Sequence, residues 1–126
     1  MTRIAIADDS APIRLLLRRR LEGSGHQVVE AEDGVELLEA IERETVTGTG
    51  IDLALIDWMM PRLDGEATAA EIRERWPELP IIGFSAGMEP ALDDQPPHTD
   101  AFTTKPFDFD YLFEAIDGLT GELLRP

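Results

Sequence analysis

Leu53-Ala54-Leu55-Ile56-Asp57-Trp58-Met59-Met60-Pro61-Arg62-Leu63-Asp64-Gly65 decides how this chain is read. Its first four residues are a short, continuous apolar run, the pattern of a strand buried on both faces. Asp57 ends the run, and the residues after it, with Pro61 and Asp64-Gly65, have turn character. A carboxylate therefore stands at the carboxyl end of a buried strand. The same arrangement occurs near the start of the chain, where Arg3-Ile4-Ala5-Ile6-Ala7 leads into Asp8-Asp9-Ser10. In open parallel α/β sheets, ligand crevices form along that edge. If the two strands are neighbours, Asp8, Asp9 and Asp57 converge and repel one another unless a cation joins them. A hard divalent ion with oxygen ligands is the natural remedy, and magnesium commonly takes one or two carboxylates together with waters and phosphate oxygens.

Strand and helix patterns alternate around these two stretches. Ser10 can cap a helix to about Glu22, with Pro12 tolerated in its first turn and Gly23 ending it. Gln27 to Ala31 reads as a second strand. Asp33-Gly34-Val35-Glu36 resembles a capping box, opening a helix through about Arg43 on which Val35, Leu38 and Ile41 lie near helical spacing. Thr45 to Gly50 reads as a polar connector. A third helix is expected from about Gly65 to Arg75, halted by Trp76-Pro77. Pro80 to Phe84 and Ala101 to Thr104 read as the fourth and fifth strands, and Phe109 to Leu119 as a final amphipathic helix capped by Asp108. Such alternation implies a parallel sheet covered on both faces and joined by right-handed crossovers.

Composition narrows the function classes. With 126 residues the chain is expected to form a single domain, 1–126. It contains no cysteine, which removes disulfides and thiolate metal sites. No signal sequence and no membrane-length apolar run is evident, so a cytoplasmic location without membrane insertion is expected. The formal net charge of -15 repels nucleic acid, so no direct nucleic-acid contact is expected. His26 and His98 stand apart from the acidic stretches and are not expected to bind metal. Lys105 is the only lysine in a chain whose other cationic residues are arginine and histidine. A lysine offers a compact point charge suited to a single phosphoryl or carboxylate oxygen, where arginine presents a wider fork.

Taken together, Asp8-Asp9, Asp57 within its turn sequence, Ser85-Ala86 after the fourth strand and Lys105-Pro106 after the fifth resemble the receiver domain of two-component response regulators. The similarity to chemotaxis receivers is greatest around Asp57. It covers essentially the whole chain, and each motif falls at an expected strand end. The resemblance implies a flavodoxin-like (βα)5 fold, with a doubly wound, parallel five-stranded sheet in the order 2-1-3-4-5. It also implies that Asp57 is the phosphoacceptor, taking a phosphoryl group from a sensor histidine kinase or a histidine phosphotransfer protein. Magnesium would be held by Asp9, Asp57 and the backbone carbonyl of Met59, and through water by Asp8. Lys105 and Ser85 would each contact a phosphoryl oxygen. Movement of the Ser85 loop would free a space for Phe102, the switch aromatic, and the changed surface would be read by a downstream effector protein. Ile13, Leu16 and Arg20, along one stripe of the first helix, would meet the kinase or phosphotransfer partner. Trp58, beside the acceptor, is expected to be a partly exposed wall of the site.

Other classes fit the residues less well. A haloacid-dehalogenase-type phosphatase also uses a strand-end aspartate, but it wants a second acid two residues later, where this chain has Met59. Asp8-Asp9 would repel the phosphate of a flavodoxin-type cofactor. A signalling phosphoacceptor rather than a turnover enzyme is therefore expected. The alternative is a degenerate receiver acting as an unphosphorylated binding module, although such domains usually lack one of the chemical residues found here.

The stretch 87–100 departs from the pattern. It occupies the place of a fourth helix but contains Pro90, Pro96 and Pro97, one leucine and no apolar stripe. A proline inside a helix costs about 3 kcal/mol and also pushes the preceding residue out of helical geometry. At most a turn or two near Pro90 to Asp94 is expected, so this helix should be shortened or irregular. The usual dimer face beside it should be remodelled, favouring a stand-alone phosphoryl carrier or partner-binding switch. Amide exchange should show no continuous protected helix of about ten residues across Ala91 to Asp100; such a helix would contradict this reading.

Overall fold

The computed structural model describes residues 2–60, 62–86, 98–105 and 108–121, with backbone alone for Ala86, Thr104 and Lys105. Five parallel strands, β1 (Arg3–Ala7), β2 (Gln27–Ala31), β3 (Leu53–Asp57), β4 (Ile81–Ala86) and β5 (Ala101–Lys105), form one sheet in the order β2-β1-β3-β4-β5. The described helices are α1 (Ala11–Gly23), α2 (Gly34–Thr47), α3 (Gly65–Arg75) and α4 (Phe109–Thr120). None of these is long and apolar enough to cross a membrane. Of the stretch 87–100 in which a shortened or irregular helix is expected, residues 87–97 lie outside those described, and His98, Thr99 and Asp100 are not helical.

Strand alternation sorts the core into two layers. Ala5 and Ala7 of β1, with Ala54 and Ile56 of β3, pack against Leu37 and Ile41 of α2 and Ala69 and Ile72 of α3. Ile4, Ile6, Leu53 and Leu55 point the other way, onto Leu17 and Leu21 of α1 and Leu112 and Ile116 of α4. Burial on both faces explains why β1 and β3 read as unbroken apolar runs. Each helix begins on a capping oxygen: Ser10 accepts from Ile13 N–H, Asp33 from Glu36, Asp64 from Ala67 and Asp108 from Tyr111.

Several boundaries differ from the sequence reading. The second helix continues past Arg43 through Thr45-Val46-Thr47, since no glycine or proline interrupts it before Gly48, and Thr45 turns its hydroxyl back onto the Ile41 carbonyl. Gly48 then ends it in the left-handed conformation at φ 86°. The buried stripe of α2 consists of Leu37, Ala40 and Ile41, while Val35 is exposed. Strand β4 starts at Ile81 and extends to Ala86, its last residues paired with Thr104 and Lys105 of β5.

The turn after β3 is clamped onto the start of α2. Arg62, at φ 66°, donates through Nε to Asp33 Oδ2 at 2.7 Å, and its Nη2 lies 2.7 Å from the same oxygen. Gly34 lies so close to this turn that a Cβ there would fall 2.8 Å from the Leu63 carbonyl oxygen and 2.0 Å from Thr68 Oγ1. Burial pushes the Asp33 carboxyl upward, but the Glu36 amide, the Arg62 bond and charge and the Val35 amide outweigh it, leaving the pKa lowered. A carboxyl lowered on folding contributes stability above its unfolded pKa and loses it as pH falls through the folded value. Replacing Asp33 with Ala should therefore cost about 1–2 kcal/mol at neutral pH through loss of the cap and the clamp. In urea titrations the gap between wild type and D33A should shrink once the pH falls below about 4.

Candidate functional site

Adjacency of β1 and β3 brings the acidic residues together. Ala7 pairs with Ile56, so Asp8 and Asp57 leave neighbouring strands at the same level of the sheet. Ligand oxygens of Asp8, Asp9 and Asp57 all lie within 4.8 Å of one another. Asp8 and Asp57 are buried and Asp9 is exposed, so the cluster opens to solvent on one side. Backbone amides hold the buried pair in place: Ser10 N–H donates to Asp8 Oδ1 at 2.7 Å, and Met59 N–H to Asp57 Oδ1 at 3.1 Å. Three converging oxygen donors, with no soft ligand among them, fit a hard divalent cation such as magnesium.

Ser85 lies one residue beyond Phe84, the β4 partner of Asp57, and is buried. Lys105 ends β5 beside Ala86, which places its backbone at the same carboxyl edge; its side chain lies outside the described residues. Met59 is exposed in the turn that follows Asp57. The predicted acceptor, metal ligands, hydroxyl residue and lysine thus occupy one edge of the sheet. Ile13, Leu16 and Arg20 lie on α1: Ile13 is half-buried against the α1–α4 core layer, Leu16 is exposed, and Arg20 places its guanidinium 4.1 Å from the centre of the Phe109 ring.

Trp58 is buried at 7% exposure and is not the partly exposed wall expected from the sequence. Two glycines make the slot that takes it. A Cβ at Gly65 would lie 2.8 Å from Trp58 Cε3, and one at Gly83 would meet the same atom at 3.0 Å. Phe102, half-buried on β5, completes the slot by packing edge-to-face with the indole, ring centres 5.5 Å apart. The same Gly83 Cβ would sit 2.7 Å from the Phe102 ring, so the positions of both aromatics depend on that glycine. Nothing in the isolated sequence marks Gly83 for this role, because its partners come from the neighbouring strands β3 and β5.

A second contact was equally hidden in the sequence. Arg14 donates through Nη1 to the Asp8 carbonyl oxygen at 2.7 Å and through Nε to Glu30 on β2 at 3.2 Å. Glu30 also accepts from Arg18 Nη1.

Comparison with known proteins agrees with this geometry. Residues 4–117 match the family described as "Response regulator receiver domain". The transcriptional regulatory protein GlrR of Escherichia coli is 35% identical over 116 residues, 90% of this chain and 25% of its own length. The response regulator MprA of Mycobacterium leprae is 34% identical over 126 residues, 93% of this chain and 50% of its own. The chain thus spans half or less of the length of these relatives. Among solved structures, the response regulator TrrA of Thermotoga maritima, in complex with Mg2+-BeF, superposes with a TM-score of 0.80 at 32% identity, over 94% of this chain and 99% of its own. TrrA has also been solved in complex with the histidine kinase ThkA. A parallel sheet in the order 2-1-3-4-5, an acidic trio at its carboxyl edge and a match running almost end to end lead to one conclusion: the chain belongs to the receiver domain family of two-component response regulators.

Proposed function

We propose that Asp57 accepts a phosphoryl group from the phosphohistidine of a sensor histidine kinase or histidine phosphotransfer protein, and that the resulting change of shape is read by a downstream effector protein. The observation that carries this reading is the convergence of Asp8, Asp9 and Asp57 at the carboxyl edge of the sheet. An Asp57 carboxylate oxygen would attack phosphorus as the bond to the donor imidazole nitrogen breaks, and the electron pair of that bond would remain on the imidazole. The product is an acyl phosphate on Asp57. Asp8, Asp9, Asp57 and the backbone carbonyl of Met59 are the groups that would hold magnesium. When bound, the ion neutralises charge on the phosphoryl oxygens, in a transfer where positioning and electrostatics supply most of the catalysis.

This chain's own residues would do the rest. The Met59 amide, already donating to Asp57 Oδ1, would help fix the rotation of the acceptor carboxylate. Lys105 would place its ammonium on a phosphoryl oxygen, and Ser85 would donate its hydroxyl to another. The pull on Ser85 would move the end of β4, and Phe102 would respond by repacking against Trp58 and Gly83. Ile13, Leu16 and Arg20 would form part of the docking surface for the phosphodonor. The complex of TrrA with a histidine kinase supports a partner of that kind.

Incubation with acetyl phosphate and magnesium should yield a hydroxylamine-sensitive acyl phosphate on the wild-type chain and none on D57N; undiminished label on D57N would remove Asp57 from this role. Beryllofluoride with magnesium should also change tryptophan fluorescence in the wild type. K105R should retain the charge but lose most of that change, because the planar fork cannot reproduce a single-point contact in a confined site. A full response in K105R would show that charge alone suffices.

A further inference from the structure

We propose that Arg14 is a positioning residue for the divalent-cation site, acting through the backbone carbonyl of Asp8; this rests on the reading that Asp8, Asp9 and Asp57 hold such a cation. Asp8 is the last buried residue before the chain turns from β1 into α1, and three hydrogen bonds help to hold it there. Its N–H donates to the Ala31 carbonyl of β2 at 3.2 Å. Its Oδ1 accepts from Ser10 N–H at 2.7 Å, and its carbonyl accepts from Arg14 Nη1 at 2.7 Å. The first two are the chain's own backbone amides in a strand ladder and a turn. The third is a side chain reaching back from α1, and it orients the peptide plane joining Asp8 to Asp9. Both carboxylates depend on that plane.

The surroundings of Arg14 suit it to this task. Its side chain is only 12% exposed, whereas that of Arg18, one turn along the helix, is 39% exposed. Nε donates to Glu30, and Nη2 lies 3.8 Å from Glu32, so the guanidinium is anchored from β2 while it holds β1. A planar fork presents donors in fixed directions to two such partners, with less freedom lost per bond than for an ammonium on its flexible stem. Outer groups that orient metal ligands typically change metal affinity about 10–100-fold when removed.

Charge acts in the opposite direction, since a cation near the site opposes a second cation. Arg14 faces the carboxylates of Glu30 and Glu32, however, which offset its charge locally. Orientation therefore outweighs repulsion. The two effects predict opposite outcomes when the guanidinium is removed.

Direct titration with Mn2+, followed by the loss of its free-ion paramagnetic resonance signal, separates them. R14Q should bind Mn2+ about tenfold more weakly than wild type. R14K should fall between the two, and it remains informative if R14Q folds poorly. E30Q keeps a side-chain oxygen for Arg14 Nε and spares the contact to Asp8 but removes one offsetting charge, so it should lose less Mn2+ affinity than R14Q even where its urea midpoint drops. Unchanged or tighter binding by R14Q, or an equal loss in E30Q, would overturn the proposal. If the wild-type chain fails to bind Mn2+, or D9N binds as well as wild type, the cation reading itself falls and this inference falls with it.

Discussion

Mutual repulsion among three carboxylates is the constraint on which the rest of this structure turns. Left to themselves, Asp8, Asp9 and Asp57 would separate, yet their oxygens lie within 4.8 Å of one another. What holds them there is the hydrophobic pairing of β1 with β3, whose residues are buried on both faces of the sheet. The energy of the core is thereby used to hold a charge arrangement that the isolated side chains would avoid. A divalent cation held by these oxygens would offset that repulsion.

Backbone dipoles and arginines then refine what the core enforces. The amides of Ser10 and Met59 each donate to a buried carboxylate, so the two side chains are oriented by the turns that follow their strands. Those turns are in turn tied to neighbouring elements. Arg14 connects the first to β2, and Arg62 connects the second to the N-terminus of α2 through Asp33. An acidic protein that places its few cations at such joints uses them for geometry more than for net charge.

The aromatic slot links the acidic edge to the outer strand. Trp58 follows the acceptor directly, and Phe102 lies three residues before Lys105 on β5. Their edge-to-face contact is of a kind worth about 0.5–1.5 kcal/mol beyond the area it buries. It exists because Gly83, on the strand between them, has no side chain. A shift of β4 would therefore be felt by both rings.

The order of elements, the strand-end positions of Asp8, Asp9, Asp57 and Lys105, and the helix caps were legible in the sequence. Each depends on local pattern: an apolar run of strand length, a carboxylate or serine ahead of a helix, a proline or glycine where the chain must turn. The limits of α2 were less legible, since Thr45-Val46-Thr47 favours a connector on propensity, yet the helix runs on until Gly48, the first residue that stops it. Trp58 was misread as partly exposed because its slot is built by Gly65, Gly83 and Phe102, which belong to three other elements. The role of Arg14 has no local mark either, because its acceptors come from Asp8 at the end of β1 and from Glu30 on β2. Local pattern thus determined which groups stand at the edge of the sheet. Only the tertiary structure decided which of them touch, because contacts between strands are set by packing across the whole core and leave no mark at short range along the chain.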